Sequence, residues 1–355
     1  MLKPLSPKRI NRCAVSFKEG YKPLRIEWSG KQSPAIIHYA DGSESLSACI
    51  RCLEAPCMYY SEHEIQLEIF KDFPFDMNNE VCPTNAITWE EEFSTPQIDK
   101  EQCVFCGLCI QRCPAKAIFF SEYSAIVLEE PNDHLVELDE YVNEETLRNT
   151  IQLFNGAEEE GIYLLETDEL IQMTRRKLDA YLPKANAQFP NHLSRNLLIG
   201  VGVSTLMRRR GDVNVRMDLL LGPPGVDQGT GEVEFGNGFL DAPRNILDNI
   251  ATLVSKYKSS KDTLVPIVVL NTLPNSRSDY WLVVQDIRKV LGLQIQTLSI
   301  GLLYMMLWNK VALSINDGTE FYIDADNPSL REKLTSKLRR EINITIDLGY
   351  LESEK

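Results

Sequence analysis

The hydrophobic and polar positions of this chain change texture twice along its length. Near the start, short apolar runs at 13–17, 24–28 and 35–39 alternate with Gly, Lys, Pro and Ser turns, which predicts short β-strands. Between 146 and 181 the apolar residues fall at helical spacing, first over 146–154 and then over 163–181, where Leu164, Ile171, Leu178 and Leu182 follow one another near one face. Pro183 and Pro190 punctuate the end of that region. From about Leu197 strand-like and helix-like runs alternate: strands at 213–221, 231–235, 264–270 and 293–300, helices at 241–257 and 279–291. Residues 311–315 and 320–323 read as a hairpin around Asn316-Asp317-Gly318, and 329–342 as a basic amphipathic helix. Alternating strands and helices predict an α/β sheet domain. The apolar stretch at 290–308 is broken by Gln294, Gln296 and Gly301, which argues against a membrane span.

The cysteines carry the most specific chemistry. Eight of nine form two sets, each ending in Cys-Pro: Cys49-x2-Cys52-x4-Cys57 with a delayed Cys82-Pro83, and Cys103-x2-Cys106-x2-Cys109-x3-Cys113-Pro114. The second run has the bacterial ferredoxin spacing for a [4Fe–4S] cluster, whose fourth cysteine ligates the other cluster of a pair. Cys82-Pro-Thr-Asn-Ala-Ile also echoes Cys113-Pro-Ala-Lys-Ala-Ile. The pattern therefore predicts two [4Fe–4S] clusters, one on Cys49, Cys52, Cys57 and Cys113, the other on Cys103, Cys106, Cys109 and Cys82. Structural zinc sites also use Cys-x2-Cys pairs, but they seldom chain three cysteines with two-residue gaps before a Cys-Pro. Nothing at the N-terminus reads as a signal peptide, so a disulfide framework fits less well than metal ligation in a cytoplasmic protein. Cys13 stands apart and reads as a small apolar residue.

Here the sequence resembles known families. Cys-Ile-Arg-Cys-Leu-Glu-Ala-Pro-Cys, at 49–57, resembles the electron-transfer subunits that accompany molybdopterin oxidoreductases, and the second run resembles two-cluster ferredoxins generally, over roughly residues 45–125. One departure stands out. In those proteins Cys-Pro follows the third cysteine closely, whereas here an insertion at 58–81 intervenes, with Tyr59, Tyr60, Phe70, Phe73 and Phe75. These aromatics suit a private hydrophobic lid over a cluster, or a partner surface.

Charge alters the picture of the rest. Of the net charge of −14, residues 121–170 alone account for all, with 15 acidic residues and the single basic Arg148. Residues 171–219 carry nine Lys or Arg against three Asp, a local +6, so an acidic chain retains a region that could meet phosphate. Arg208, Arg209 and Arg210 suit phosphate contacts and equally suit pairing with the acidic window.

A second candidate site lies near the end of that basic region. Asp218 interrupts an apolar run, Val215 to Leu220, and is followed by Gly222-Pro223-Pro224-Gly225 and then by Glu232-Val233-Glu234. On a strand Glu232 and Glu234 share a face; if that strand pairs with the one carrying Asp218, three carboxylates converge. Such a cluster is costly unless a cation is shared, and hard oxygen ligands suit Mg²⁺ or Mn²⁺, which activate water for phosphoryl chemistry. The order Asp218, Glu232-x-Glu234, helix, strand, helix, strand resembles the PD-(D/E)XK nuclease core over roughly 160–305, and Glu-Val-Glu-Phe-Gly-Asn is similar to restriction endonucleases whose lysine is replaced. The resemblance implies Asp218 and Glu232 as metal ligands, Glu234 in the lysine place assisting the attacking water, and Glu166 or Glu169 as a further acid.

Together these readings predict an α+β multidomain protein: a β-rich segment at 1–44, a ferredoxin-like two-cluster module at 45–128, an acidic helical connector at 129–190 and a PD-(D/E)XK-like mixed-sheet domain at 191–355. Three functions fit. One is a metal-dependent endonuclease with an iron–sulfur module, in a setting such as genome defence, bound to nucleic acid through 171–219. Another is an electron-transfer subunit of an oxidoreductase with a redox partner. A third is an inactive nuclease fold used for nucleic-acid binding or assembly. No G-x-G-x-x-G follows a strand, so any electron donor and acceptor lie outside this chain. His38, His63, His134 and His192 are scattered and receive no role.

Overall fold

The computed structural model describes residues 33–35, 55–65, 73–90, 95–112, 119–121, 168–211, 216–222, 229–309, 311–314, 320–342 and 344–354. The strands expected at 13–17 and 24–28, the helix at 146–154, most of the acidic window, and Cys13, Cys49, Cys52, Cys113 and Glu166 lie outside those residues, as does the side chain of Glu169. The chain divides into two compact units. The first comprises Met1–Tyr59 and Glu80–Pro183, the second Tyr60–Asn79 and Lys184–Lys355. The insertion between Cys57 and Cys82 thus belongs largely to the second unit.

In the first unit, β1 (Ser33–Ala35) pairs antiparallel with β4 (Phe119–Ser121), and β2 (Ile87–Glu90) pairs antiparallel with β3 (Thr95–Ile98). A short helix α1 (Leu108–Arg112) follows the Cys-x2-Cys loop, and α2 (Asp168–Tyr181) buries Leu170, Ile171, Thr174 and Leu178. Of the expected stripe, Ile171 and Leu178 are buried on α2, Leu182 is half-buried in the 3₁₀ turn that follows, and Leu164 lies outside the described residues.

The second unit is a five-stranded mixed sheet in the order β5–β6–β7–β8–β9. Helix α3 (Phe189–Gly200) leads into β5 (Thr205–Met207), β6 (Leu219–Leu221) and β7 (Gly229–Glu234), which run antiparallel in sequence. Helix α4 (Ala242–Ser255) then connects β7 to the parallel β8 (Val265–Leu270), and α5 (Asp279–Leu291) connects β8 to the parallel β9 (Gln296–Ser299). Helices α6 (Ile300–Trp308) and α7 (Arg331–Leu338) complete the unit. Strands β5, β6, β8 and β9 are buried at every position, as expected where helices cover a sheet.

Local chemistry explains most boundaries. Ser278 caps α5 by accepting the Tyr280 N–H, and Gly292 ends it in the left-handed conformation (φ 70°). Ser299 caps α6 by accepting the Leu302 N–H. Four expectations need correction. Pro190 does not end a helical region but opens α3, because proline suits the first turn, where its missing N–H has no intrahelical partner. The strand expected over 213–221 narrows to Leu219–Leu221 among the described residues, with 216–218 irregular. The run at 293–300 is a strand only to Ser299, after which the apolar residues turn into α6. The hairpin at 311–315 and 320–323 is not formed by the described residues: 311–314 is irregular, and Tyr322 pairs with Gln296 on β9, whose side-chain carbonyl accepts the Phe321 N–H (3.0 Å). No helix among the described residues is long and apolar enough to cross a membrane.

Candidate iron–sulfur and carboxylate sites

A hairpin links Cys82 to the second cysteine run. After Cys82 the chain turns at Asn85 (φ 54°), runs out along β2 and returns along β3, with Ile87 opposite Ile98. The Asp99 N–H donates to the Ala86 carbonyl (2.7 Å), so the end of the hairpin is pinned beside its beginning. Asp99 then builds the start of the next loop. Its carboxylate accepts from the Glu101 N–H (2.8 Å) and the Gln102 amide (3.0 Å), while its carbonyl accepts the Cys103 N–H (3.0 Å). From Cys103 the backbone takes left-handed turns at Phe105 (φ 59°) and Gly107 (φ 82°). A bulky residue at positive φ is uncommon, and alternating turns of this kind aim successive N–H groups at one concavity that favours anions.

The thiols occupy that concavity. Cys103, Cys106 and Cys57 are buried, and Cys82 and Cys109 half-buried. Burial, then the charge of Cys106 and Cys82, pushes the Cys103 thiol far above its ordinary range, while the Phe105 N–H and Lys177 oppose the shift. Burial followed by Cys82 pushes Cys106 up to about 12, against the N–H groups of Leu108, Cys106 and Gly107. Cys109 is raised by burial first and then by Cys106, Cys103, Cys82 and Cys57. Four thiols expected on one cluster are therefore mutually close, and Cys57, expected on the other, is near Cys109. As bare groups Cys103, Cys106 and Cys109 would stay protonated. Bound to iron they become thiolates, for which inward N–H donors, including Ala86 N–H to Cys82 Sγ (3.2 Å), are the right environment.

These residues fit a [4Fe–4S] cluster. A four-iron cube takes its thiolates at separate corners. Elements outside the cysteine runs contribute too. On α2, Lys177 donates to the Lys100 carbonyl (2.8 Å) and lies 6.0 Å from the Phe105 ring centroid, and the Tyr181 hydroxyl is raised by burial and then by Cys82. Arg112 Nε donates to the Pro56 carbonyl (2.7 Å), tying α1 to the loop that carries Cys57. The cysteine spacing gives no hint of Lys177 or Arg112.

The carboxylates lie on adjacent strands of the second unit. With Leu219 opposite Gly231, the β6–β7 register sets Asp218 across from Glu232 on the same side. Asp218 Oδ2 accepts the Val233 N–H (3.2 Å), and its Oδ1 accepts from Asn191 on α3 (3.1 Å) and from Arg208 (3.4 Å). Glu232, 7% exposed, accepts from Asn249 (2.5 Å) and Asn245 (3.4 Å), neighbours at i and i+4 on α4. Burial and then Asp218 push Glu232 up to about 7; burial chiefly raises Asp218, with Val233 N–H, Arg208 and Asn191 opposing. Glu234 faces differently. Its Oε1 accepts the Gly236 N–H (2.6 Å), and a Cβ at Gly238 would lie 2.7 Å from its Oε2, so the side chain is folded into its own loop. The three carboxylates do not form a three-ligand set of metal-holding spacing. The asparagines were not singled out in sequence, although Asn245 and Asn249 sit on one helix face directly after the Glu-x-Glu strand.

The raised Glu232 has a measurable consequence. Its folded-state pKa of about 7 exceeds the unfolded value of 4.5, so stability falls as pH rises between the two, by on the order of 3 kcal/mol once the group is ionised. Glu232→Gln removes that dependence. The variant should exceed the parent in urea stability at about pH 8 and match it near pH 4; equal stabilities at both values contradict the assignment.

Comparison with known proteins adds a family for part of the chain. The 4Fe-4S dicluster domain matches residues 79–117, so the chain carries an iron–sulfur module. It is 32% identical over 71 residues to an uncharacterised ferredoxin of Methanocaldococcus jannaschii, covering 20% of this chain and 32% of that one. It is 26% identical over 91 residues to the polyferredoxin-like subunit of the Pyrococcus furiosus aliphatic sulfonate oxidoreductase, covering 26% and 40%. With an uncharacterised ferredoxin-like protein of Escherichia coli it shares 23% over 125 residues, covering 33% and 46%. The chain thus spans less than half the length of these relatives. No solved structure matches it.

Proposed function

We propose that this iron–sulfur protein holds two [4Fe–4S] clusters and exchanges electrons with a protein redox partner. The observation that carries the reading is the convergence of Cys82 with Cys103, Cys106 and Cys109 in a buried concavity lined by N–H donors. A [4Fe–4S] group held there would supply one-electron chemistry, and the buried cysteines with their N–H donors would tune its potential. Cys57 beside Cys109 supports a second cluster on Cys49, Cys52, Cys57 and Cys113. The relative named as an oxidoreductase subunit supports a protein partner as the source or sink. Anaerobic dithionite should bleach the visible absorbance and air should restore it; a protein whose spectrum never changes contradicts electron transfer.

A second reading concerns the carboxylates: phosphodiester hydrolysis in the second unit, with Mg²⁺ or Mn²⁺. It is supported by the element order α3–β5–β6–β7–α4–β8, three antiparallel strands followed by a parallel crossover, which is the order of the PD-(D/E)XK core, and by Asp218 facing Glu232 across its second and third strands. Asp218 and Glu232 would hold the cation, which activates water. Among the described residues the Glu234 carboxylate accepts from the Gly236 N–H of its own loop, so a base role requires that loop to open. Arg208, Arg209, Arg210 and Arg216 supply positive charge on the same unit for nucleic acid. Incubated with DNA and RNA plus Mg²⁺ or Mn²⁺, the holo-protein should cleave, and Asp218→Ala should lose cleavage by at least about a hundredfold. Cleavage that survives the substitution rules the site out; binding without cleavage, weakening with salt, favours an inactive nuclease fold.

A further inference from the structure

The insertion between two cluster cysteines is built into the framework that holds Asp218. It leaves the cysteine-rich unit through a narrow neck. The Val81 N–H donates to the Met58 carbonyl (2.8 Å), and Tyr59 pairs antiparallel with Glu80. One side of this neck starts one residue after Cys57, and the other side ends one residue before Cys82. The chain then continues into Tyr60 and returns from Asn79, where the Tyr60 N–H donates to the Asn79 carbonyl (2.7 Å).

Beyond the neck the insertion is held by two elements of the second unit. Arg195 on α3 is 1% exposed. Its guanidinium donates to the Asn78 carbonyl (2.7 Å) and lies over the Tyr60 ring (5.9 Å), while the Tyr60 hydroxyl donates to the Asn196 carbonyl (3.3 Å). Burying an arginine is costly unless it is held by partners, and here Nη1 donates to the insertion while Nε donates to Asn196 Oδ1 (2.8 Å) on its own helix. Farther along, Phe75 pairs with Arg208 as an added rung on the β5 side of the sheet: the Arg209 N–H donates to the Pro74 carbonyl (2.7 Å) and the Asp76 N–H to the Met207 carbonyl (2.8 Å). Phe73 is buried beside that rung. Arg208 faces Asp218 on the other side, its N–H donating to the Asp218 carbonyl (3.0 Å) and its guanidinium to the carboxylate (3.4 Å).

We infer that the insertion couples cluster occupancy to the order of the β5 edge and of Arg208 beside Asp218. Cluster assembly fixes Cys57 and Cys82, the two ends of the neck. A fixed neck restricts the conformational freedom of the 60–79 loop, which lowers the entropy lost when Pro74–Asp76 pairs with Met207–Arg209. Without iron the ends separate, the added rung frays, and the segment carrying Arg208 loses its outer neighbour. The coupling is reciprocal, so loosening the insertion at Arg195 must weaken retention of iron. This inference rests on the assignment of the clusters to these cysteines. It would make the carboxylate site respond to cluster assembly, whichever chemistry that site performs.

Hydrogen exchange on the full-length protein tests it, compared between holo-protein and protein stripped of iron by a chelator under reducing conditions. Peptides from 60–79 and 203–211 should exchange at least about tenfold faster in the stripped protein, while β8 and α6 keep their protection. Unchanged exchange in both peptides overturns the coupling. If β8 also loses protection, the reverse direction decides: Arg195→Met should speed iron loss to a ferrous chelator by roughly threefold or more, with its iron content at purification near that of the parent. An unaltered rate overturns the coupling while leaving the clusters in place, whereas a parent protein without iron overturns both.

Discussion

Cys106→Ala is expected to purify with about half the iron of the parent protein, about four atoms per chain in place of eight, and with about half its visible absorbance. Cys106 sits at the centre of the second run, buried, with N–H groups from Cys106, Gly107 and Leu108 against its sulfur and the charge of Cys82 beside it. Removing it leaves one cluster with three corners held. The other cluster draws on Cys49, Cys52, Cys57 and Cys113 and should remain. Cys13→Ala is the matched control and should change nothing. Full iron in Cys106→Ala removes Cys106 from the ligand set.

The second large effect is structural. Gly301→Ala should destabilise the second unit by about 3 kcal/mol or more, read as a fall in urea midpoint or as loss of soluble protein. Ordinarily alanine favours a helix by about 1 kcal/mol over glycine. Here the opposite sign follows from contact: a Cβ at Gly301 would fall 2.0 Å from Tyr350 Cγ and 2.3 Å from its Cβ. Tyr350 is fully buried, and its carbonyl accepts the Ser299 hydroxyl at the start of α6, so neither partner can withdraw. Tyr350→Gly combined with Gly301→Ala should cost less than the sum of the two single changes, because removing the Tyr350 side chain removes all three atoms the new Cβ would strike. Additive losses would place the strain elsewhere.

What could be read in the sequence depended on period and on local chemistry. Helix α5 shows a one-sided apolar stripe, a Ser cap and a terminal Gly, and the expected 279–291 coincides with the observed Asp279–Leu291. Helix α6 is buried at all nine positions, so it carries no one-sided period and merged with the strand before it. Strand β5 is three residues long, too short to alternate visibly. The supposed hairpin failed because its second arm was claimed by β9 through Gln296, a long-range partner that turn residues cannot reveal.

The sites divide in the same way. Cysteine spacing is local and visible in the sequence, whereas Lys177 and Arg112 come from distant turns of chain. Asp218 and Glu232 face one another as the pairing of their strands required. Glu234 shares the face of Glu232 in the pleat but is drawn aside by Gly236 and Gly238, whose missing side chains leave room for its carboxylate. The aromatics of the insertion suggested a cover for a cluster or a partner surface. What composition alone does not display is that Tyr60 and Phe73 are buried in a segment of the second unit, where Arg195 and the open edge of β5 offer donors and a rung.

The most direct test of the account is the iron and acid-labile sulfide content of the anaerobically purified chain, measured beside Cys106→Ala. Two [4Fe–4S] clusters predict a brown protein with about eight of each per chain and about four of each in the variant. A colourless protein with no sulfide and about two zinc ions per chain would contradict it.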